Sequence, residues 1–265
     1  LAGVMLKMGT YGFLRWVIPL FPDAAEYYGW IFIVAGLIGV VYGALIAMVQ
    51  PDIKKLVAYS SVSHMGYIII GIFTMNAYGV SGALYQMLNH GISTGALFIL
   101  IGMIYERTHS REITKYGGLA GFLPLYSISF IIVTMSSIAV PLTNGFIGEF
   151  LILLGSYTYS PGIAAIAVSG VVLGAAYMLW MVKRVFFGAK GELIVAAEKD
   201  AQHFFSDLSL REIAVLIPLI IMIFWMGLFP NNFMDYSKSS VDHLIKNKNN
   251  YSFPVSSQQA KLEDK

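Results

Sequence analysis

Apolar runs of about twenty residues recur along the chain, from "LAGVMLKMGTYGFLRWVIPL" to "IAVLIPLIIMIFWMGLF", and that is the helix length that crosses a bilayer core. Nothing else in the sequence limits the fold so sharply. In hydrocarbon every backbone N–H and C=O needs an internal partner, so the runs imply a bundle of helices. Of the 265 residues, 57% are hydrophobic and 12% charged, where a soluble domain carries roughly a quarter charged. The chain reads as an all-α, multi-pass membrane protein whose surroundings are the lipid bilayer. A formal net charge of +2 gives no reason to expect a nucleic-acid partner. The absence of cysteine removes disulfides and the thiolates that iron–sulfur clusters and many zinc sites need. We expect no metal site. The chain opens on Leu1 inside an apolar run with no charged n-region, so we read no signal peptide and expect a piece of a longer protein.

Seven candidate spans follow, at 1–20, 31–49, 56–74, 80–105, 122–157, 163–187 and 212–233. Residues 1–234 form the expected bundle, with 189–210 as a cytoplasmic connector and "IVAAEKDAQHFF" as a short interfacial helix within it. Residues 235–265 are read as a polar tail, extended over "NKNNYSFPVSSQQAKLEDK". The fifth span is too long for one simple crossing and contains "AVPLTNGFIGEF". Pro141 lacks a backbone donor and clashes with the preceding turn, so the helix is expected to break around 141–145, between Pro141 and Gly145. Backbone groups freed there cannot face lipid and must line a polar or protein-buried site. Broken helices at membrane depth are a device of transporters.

Basic residues set the orientation. Alternate loops carry Lys54 and Lys55, then Arg107, Arg111 and Lys115, then Lys183, Arg184 and Lys190, whereas "FPDAAEYYG", "MNAYG" and "YTYSPG" carry none. The first set is read as cytoplasmic, which puts the C-terminal tail outside. Asp52 reads as an N-cap before Lys54 and Lys55. Glu106, Arg107, His109 and Arg111 read as a solvated loop cluster. The glycines, 26 in all, read as helix-packing contacts rather than phosphate loops.

Four ionisable residues fall where lipid disfavours them: Lys7, His64, His90 and Glu149. A lysine or carboxylate at the bilayer centre costs roughly 2.5–3.5 kcal/mol on insertion scales, and the default meaning of such a residue is an ion or proton pathway. Helical spacing adds support. Ser60 and Tyr67 flank His64 on one face, and Gln86, His90 and Thr94 form a polar stripe at successive i,i+4 positions. Histidine titrates near cellular pH. Desolvation or a nearby carboxylate moves a lysine's affinity for its proton. Each residue also has a plainer reading. Lys7 could pair structurally with a neighbouring carboxylate, His64 could bond a backbone carbonyl as a packing device, and Glu149 could sit at the bilayer edge.

Four motifs carry a resemblance: "LAGVMLKMGTYGFLR", "QPDIKKLVAYSSVSHMGYI", "NHGISTGALFILIGMIYERTHSREI" and "PLTNGFIGEF". In this order they resemble the antiporter-like membrane subunits of proton-pumping NADH:quinone oxidoreductase, respiratory complex I. Glu149 in "GFIGEF", where related subunits carry lysine, resembles the M-type. The resemblance implies the second of two inverted repeats, covering the family's eighth to fourteenth helices. It implies a proton path through Lys7, His64, His90 and Glu149. Flavin and iron–sulfur clusters would lie in other subunits, with no cofactor in this chain. The partners would be L- and N-type neighbours, and the location a bacterial plasma membrane or mitochondrial inner membrane. The family's input-side glutamate and lysine would precede Leu1, so this segment would not pump alone. A subunit of a multi-subunit cation/proton antiporter or of a membrane-bound hydrogenase is the alternative of the same ancestry.

Overall fold

The computed structural model describes residues 3–199 and 206–250. Helices follow one another as α1 (Lys7–Gly12), a π-helical segment (Phe13–Val17), α2 (Ile18–Leu20), α3 (Pro22–Met48), α4 (Ile53–Phe73), α5 (Ala77–Thr108), α6 (Pro124–Ser137), α7 (Asn144–Tyr159), α8 (Pro161–Phe186), α9 (Glu192–Lys199), α10 (Leu210–Leu228) and α11 (Asn231–Asn250). Short 3₁₀ turns lie between α5 and α6. Among the described residues the only β-type pairing is an isolated bridge, Asp52 to Glu112. The fold is all-α, and α3, α4, α5, α8 and α10 are long and apolar enough to cross a membrane.

Local chemistry explains most boundaries. Asp52 caps α4 by accepting from the Lys55 N–H at 3.0 Å, and Asn76 caps α5 by accepting from the Gly79 N–H at 2.8 Å, each satisfying a first-turn donor. α3 begins at Pro22, not at residue 31, because proline suits a first helical position and Asp23 follows in the first turn. The loop expected at "FPDAAEYYG" is therefore mostly helix. The first span is interrupted: the Ile18 N–H reaches back to Phe13 O across the π segment. Pro19 supplies the reason, since its ring would strike the carbonyl four residues earlier in a straight α-helix, and a wider turn relieves the clash.

The fifth expected span is two helices, α6 and α7, separated by residues 138–143. The break comes slightly before the expected 141–145. Ala139 (φ 56°) and Leu142 (φ 75°) both lie in the left-handed region, which costs a non-glycine residue free energy. Val140 N–H reaches back to Met135 O at 3.1 Å, and Thr143 N–H to Val140 O at 3.1 Å.

Two further readings are corrected. The expected tail from 235 starts as helix α11, whose Val241 is buried in an apolar cluster drawn from the π-helical segment and α2–α5, with Leu244 and Ile245 beside it. The stretch expected to be extended from Asn247 is helical as far as Asn250; its remainder from 251 lies outside the described residues, as does the second half of "IVAAEKDAQHFF", whose first six residues, 194–199, belong to α9. Arg107 is no part of a solvated cluster. Its guanidinium donates to both Glu212 carboxylate oxygens at 2.7 Å and to the Ser206 and Asp207 carbonyls. Asp207 caps α6 by accepting from the Leu125 and Tyr126 N–H groups at 2.8 and 3.0 Å. One arginine thus ties the ends of α5, α6 and α10 together. The sequence hid this because Arg107 and Glu212 are 105 residues apart.

Small residues bring the helix backbones close. A Cβ on Gly66 of α4 would sit 2.5 Å from Gly36 O on α3, and one on Gly36 would sit 2.9 Å from Gly66 O. Without a hydrophobic drive between helices in lipid, such close packing carries association. The seam holds α4 against α3, whose opposite face exposes Val34, Ile38, Tyr42 and Leu45. A polar cluster lies within the largely apolar interior. Ser60, His64, Gln86, Asn89, His90, Thr94, Asn144 and Glu149 are all buried.

Gly66→Ala should part α3 from α4 and cost about 1–3 kcal/mol, the usual penalty of overpacking. Arg107→Ala should cost about 2 kcal/mol, the range of hydrogen bonds to charged groups. Thermal unfolding in detergent reads both, and unchanged melting temperatures would contradict this packing.

Candidate functional site

α5 builds most of the site. Its sequence from Gln86 to Thr94 places Gln86, Asn89, His90, Ser93 and Thr94 on one buried face, the i, i+3, i+4, i+7, i+8 pattern of a single helix stripe. α1 supplies Lys7, α4 supplies His64, and α7 supplies Asn144 and Glu149.

The four ionisable residues meet. Lys7 Nζ lies 2.5 Å from His90 Nδ1 and donates to Gly3 O at 2.6 Å. The His90 and His64 rings stand edge to face, centroids 5.3 Å apart at 61°. His64 Nδ1 lies 2.9 Å from Glu149 Oε1. His64 Nδ1 makes no hydrogen bond there, so the approach is a close contact between the ring and the carboxylate. Lys7, His90, His64 and Glu149 therefore form an unbroken line of titratable groups from α1 to α7. The carboxylate partner for Lys7 and the backbone carbonyl for His64, two plainer readings, are not what these side chains touch. Glu149 is 4% exposed, which places it within the bundle rather than at its edge.

The supporting residues divide. Gln86 donates to Glu149 Oε1 at 3.1 Å. Thr94 lines a cavity of about 10 Å³ beside both histidines. Ser60 is taken up by Val57 O on its own helix at 2.8 Å, and Tyr67 by Ala167 O on α8 at 2.6 Å. Pro141 is exposed in the break. Gly145 is buried where a Cβ would strike Ser136 O.

The sequence reading passed over Asn89, Ser93, Ser136 and Asn144. Asn144 opens α7, and its side-chain oxygen accepts from Ser136 Oγ at 2.5 Å and from the Gly145 N–H at 3.0 Å. Ser136 also meets Ser93 Oγ at 2.7 Å. Asn89 donates to Asn144 O at 2.7 Å and to Gln86 Oε1 at 3.3 Å. These bonds satisfy groups at the helix break, as burial demands. The full polar periodicity of α5, rather than its i,i+4 members alone, would have pointed to Asn89 and Ser93.

Chemically, the line sets an amine and a carboxyl group at the two ends of a pair of imidazoles. Imidazole accepts at one nitrogen while donating at the other, and burial makes each charge depend on its neighbour. Among the described residues no group of three His, Asp or Glu side chains is arranged to hold a metal.

A family model described as NADH:quinone oxidoreductase/Mrp antiporter, transmembrane, matches residues 1–174. The chain belongs to that family. Among curated relatives, the NADH-quinone oxidoreductase subunit M of Rhodobacter capsulatus is 46% identical over 247 residues, 93% of this chain and 47% of the relative. The NADH-ubiquinone oxidoreductase chain 4 of Marchantia polymorpha is 40% identical over 247 residues, 93% of this chain and 48% of the relative. The chain thus spans about half the length of the curated relatives it matches. Among solved structures, a chain of respiratory complex I from Thermus thermophilus superposes with a TM-score of 0.83 at 32% identity, covering 91% of this chain and 49% of that one. A chain of the Mrp complex from Dietzia sp. superposes with a TM-score of 0.81 at 22% identity over 92% of this chain and 52% of that one, a likeness of fold alone. The protein is an integral membrane member of this family.

Gly148 lets α7 approach the amides of α5, since a Cβ there would strike Gln86 Oε1 and sit 2.9 Å from Asn89 Nδ2. Gly148→Ala should push Gln86 off Glu149 and lower stability by about 1–3 kcal/mol. A structure of the variant with the Gln86–Glu149 bond intact would refute this.

Proposed function

We propose that this chain is the C-terminal half of an M-type, proton-translocating membrane subunit of NADH:quinone oxidoreductase. The observation that carries the reading is the buried line Lys7–His90–His64–Glu149, with its 2.5 and 2.9 Å end contacts. Identity to subunit M sequences at 46% and 45% supports the type. In this reading the redox chemistry and its cofactors lie in other subunits. A charge arriving beside Lys7 changes its hold on its proton, His90 and His64 relay the proton laterally, and Glu149 communicates with the neighbouring antiporter-like subunit.

The relay follows from elementary acid–base physics. Lys7 as ammonium donates to His90 Nδ1, and a proton passed to that nitrogen is matched by one leaving Nε2. His64 Nδ1 stands 2.9 Å from Glu149 Oε1, the next group along the line. The membrane would be a bacterial plasma or mitochondrial inner membrane, with the chain's C-terminus on the outer side. The N-terminal half of the subunit would supply the input side of the path, so the unit that pumps is the full subunit within its complex.

A second reading is a subunit of a multi-subunit cation/proton antiporter, favoured by the likeness of fold to the Mrp chain. Sodium-driven antiport in membranes lacking quinone reduction would select it.

Lys7→Ala and Glu149→Gln in the full-length subunit should lower NADH-driven proton pumping by about 100-fold or more, the lower end of what a positioned proton-transfer group contributes. Assembly of the complex, followed on native gels, should persist. Pumping at the unaltered rate in both variants would end this reading.

A further inference from the structure

Two buried polar atoms of α5 have no hydrogen-bond partner among the described residues: His90 Nε2 and Asn89 Oδ1. His90 is 3% exposed and Asn89 is 1% exposed. Both residues line the same cavity of about 10 Å³. A volume of that order holds one water, provided polar partners converge on it. One orphan is a nitrogen that can donate, and the other is an acceptor.

The bonds already made fix which way each group points. Glu149 Oε1 receives a bond from Gln86, so the Gln86 nitrogen faces Glu149 and its oxygen faces Asn89. Asn144 O can only accept, so the nitrogen of Asn89 faces it, and the oxygen of Asn89 faces the cavity. Lys7 as ammonium can only donate, so His90 Nδ1 accepts and the ring proton sits on Nε2. Of the polar atoms lining the cavity, His90 Nε2, Asn89 Oδ1 and His64 Nδ1 are left without a hydrogen bond, and the first two complement each other as donor and acceptor.

We propose that this cavity is a single-water site, and that its water closes a one-way hydrogen-bond chain from Lys7 to Glu149. Lys7 donates to His90 Nδ1, and His90 Nε2–H donates to the water. The water donates to Asn89 Oδ1, Asn89 to Gln86 Oε1, and Gln86 to Glu149 Oε1. All donors point the same way, so the dipoles polarise one another. Amide groups hold their protons, so this chain carries no proton. It conveys the charge state of Lys7 to the carboxylate of Glu149, and a proton leaving His90 Nε2 toward His64 interrupts it. Asn89 and Gln86 are then positioning residues: Asn89 also holds Asn144 at the helix break, which fixes the register of α7 and hence the place of Glu149.

This inference rests on the proton-translocating reading but is tested apart from it. High-resolution cryo-electron microscopy of the assembled NADH:quinone oxidoreductase carrying this subunit should show one density within about 3 Å of both His90 Nε2 and Asn89 Oδ1. In the same complex, Gln86→Met and Asn89→Leu should move the pH profile of NADH-driven pumping by about half a unit or more, since a lost hydrogen bond of about 1 kcal/mol corresponds to a shift of that order. Loss of packing alone would lower the amplitude without moving the profile. Absence of the density, or an unmoved profile in both amide variants, overturns the proposal. If Lys7→Ala and Glu149→Gln still abolish pumping in that case, the proton reading survives. If they do not, that reading fails whether or not the water is seen.

Discussion

A buried ammonium needs acceptors, and Lys7 finds His90 Nδ1 and Gly3 O. Much of the architecture serves that requirement. An unpaired charge in this setting would cost several kcal/mol. His90 must therefore present a free nitrogen to α1, which fixes the rotation of α5 about its axis. That rotation turns Gln86, Asn89, Ser93 and Thr94 inward along the same stripe. α7 then has to arrive with a helix start that can satisfy them, and Asn144 does so from the broken span. The polar cluster lies within an interior that is otherwise apolar, and Val, Ile and aromatic side chains also cover much of the outer surface.

The outline of this bundle is written in its hydropathy. Apolar runs locate the spans, Asp52 marks the start of α4, and Pro141 warns of the break between α6 and α7. Lys7, His64, His90 and Glu149 stand out because charge in a lipid-length run is rare. Hydropathy is blind to other things. It passes over the acidic, proline-led first turns of α3 and the amphipathic α11, whose polar residues outweigh a buried Val241. It cannot foresee the π turn ahead of Pro19. It also treats Arg107 as a loop charge, since its partner Glu212 is distant in sequence. Asn89 and Asn144 escape because an asparagine carries no formal charge, although each bridges two helices here.

The break itself shows how local strain is tolerated. Ala139 and Leu142 adopt a backbone region that suits glycine, yet neither is replaced by one. The Asn144–Ser136–Ser93 cluster on one side and the close approach of Gly227 on α10 to Leu142 O on the other hold the segment in place. Strain is offset by these contacts, and the carboxylate five residues into α7 inherits a defined position.

The α3–α4 seam has an effect beyond packing. With glycine against glycine, no compressible side chain lies between the two backbones. α3 exposes an apolar face, and α4 carries His64. The place of the imidazole is thereby tied to the backbone of α3 and not to a side chain that could yield.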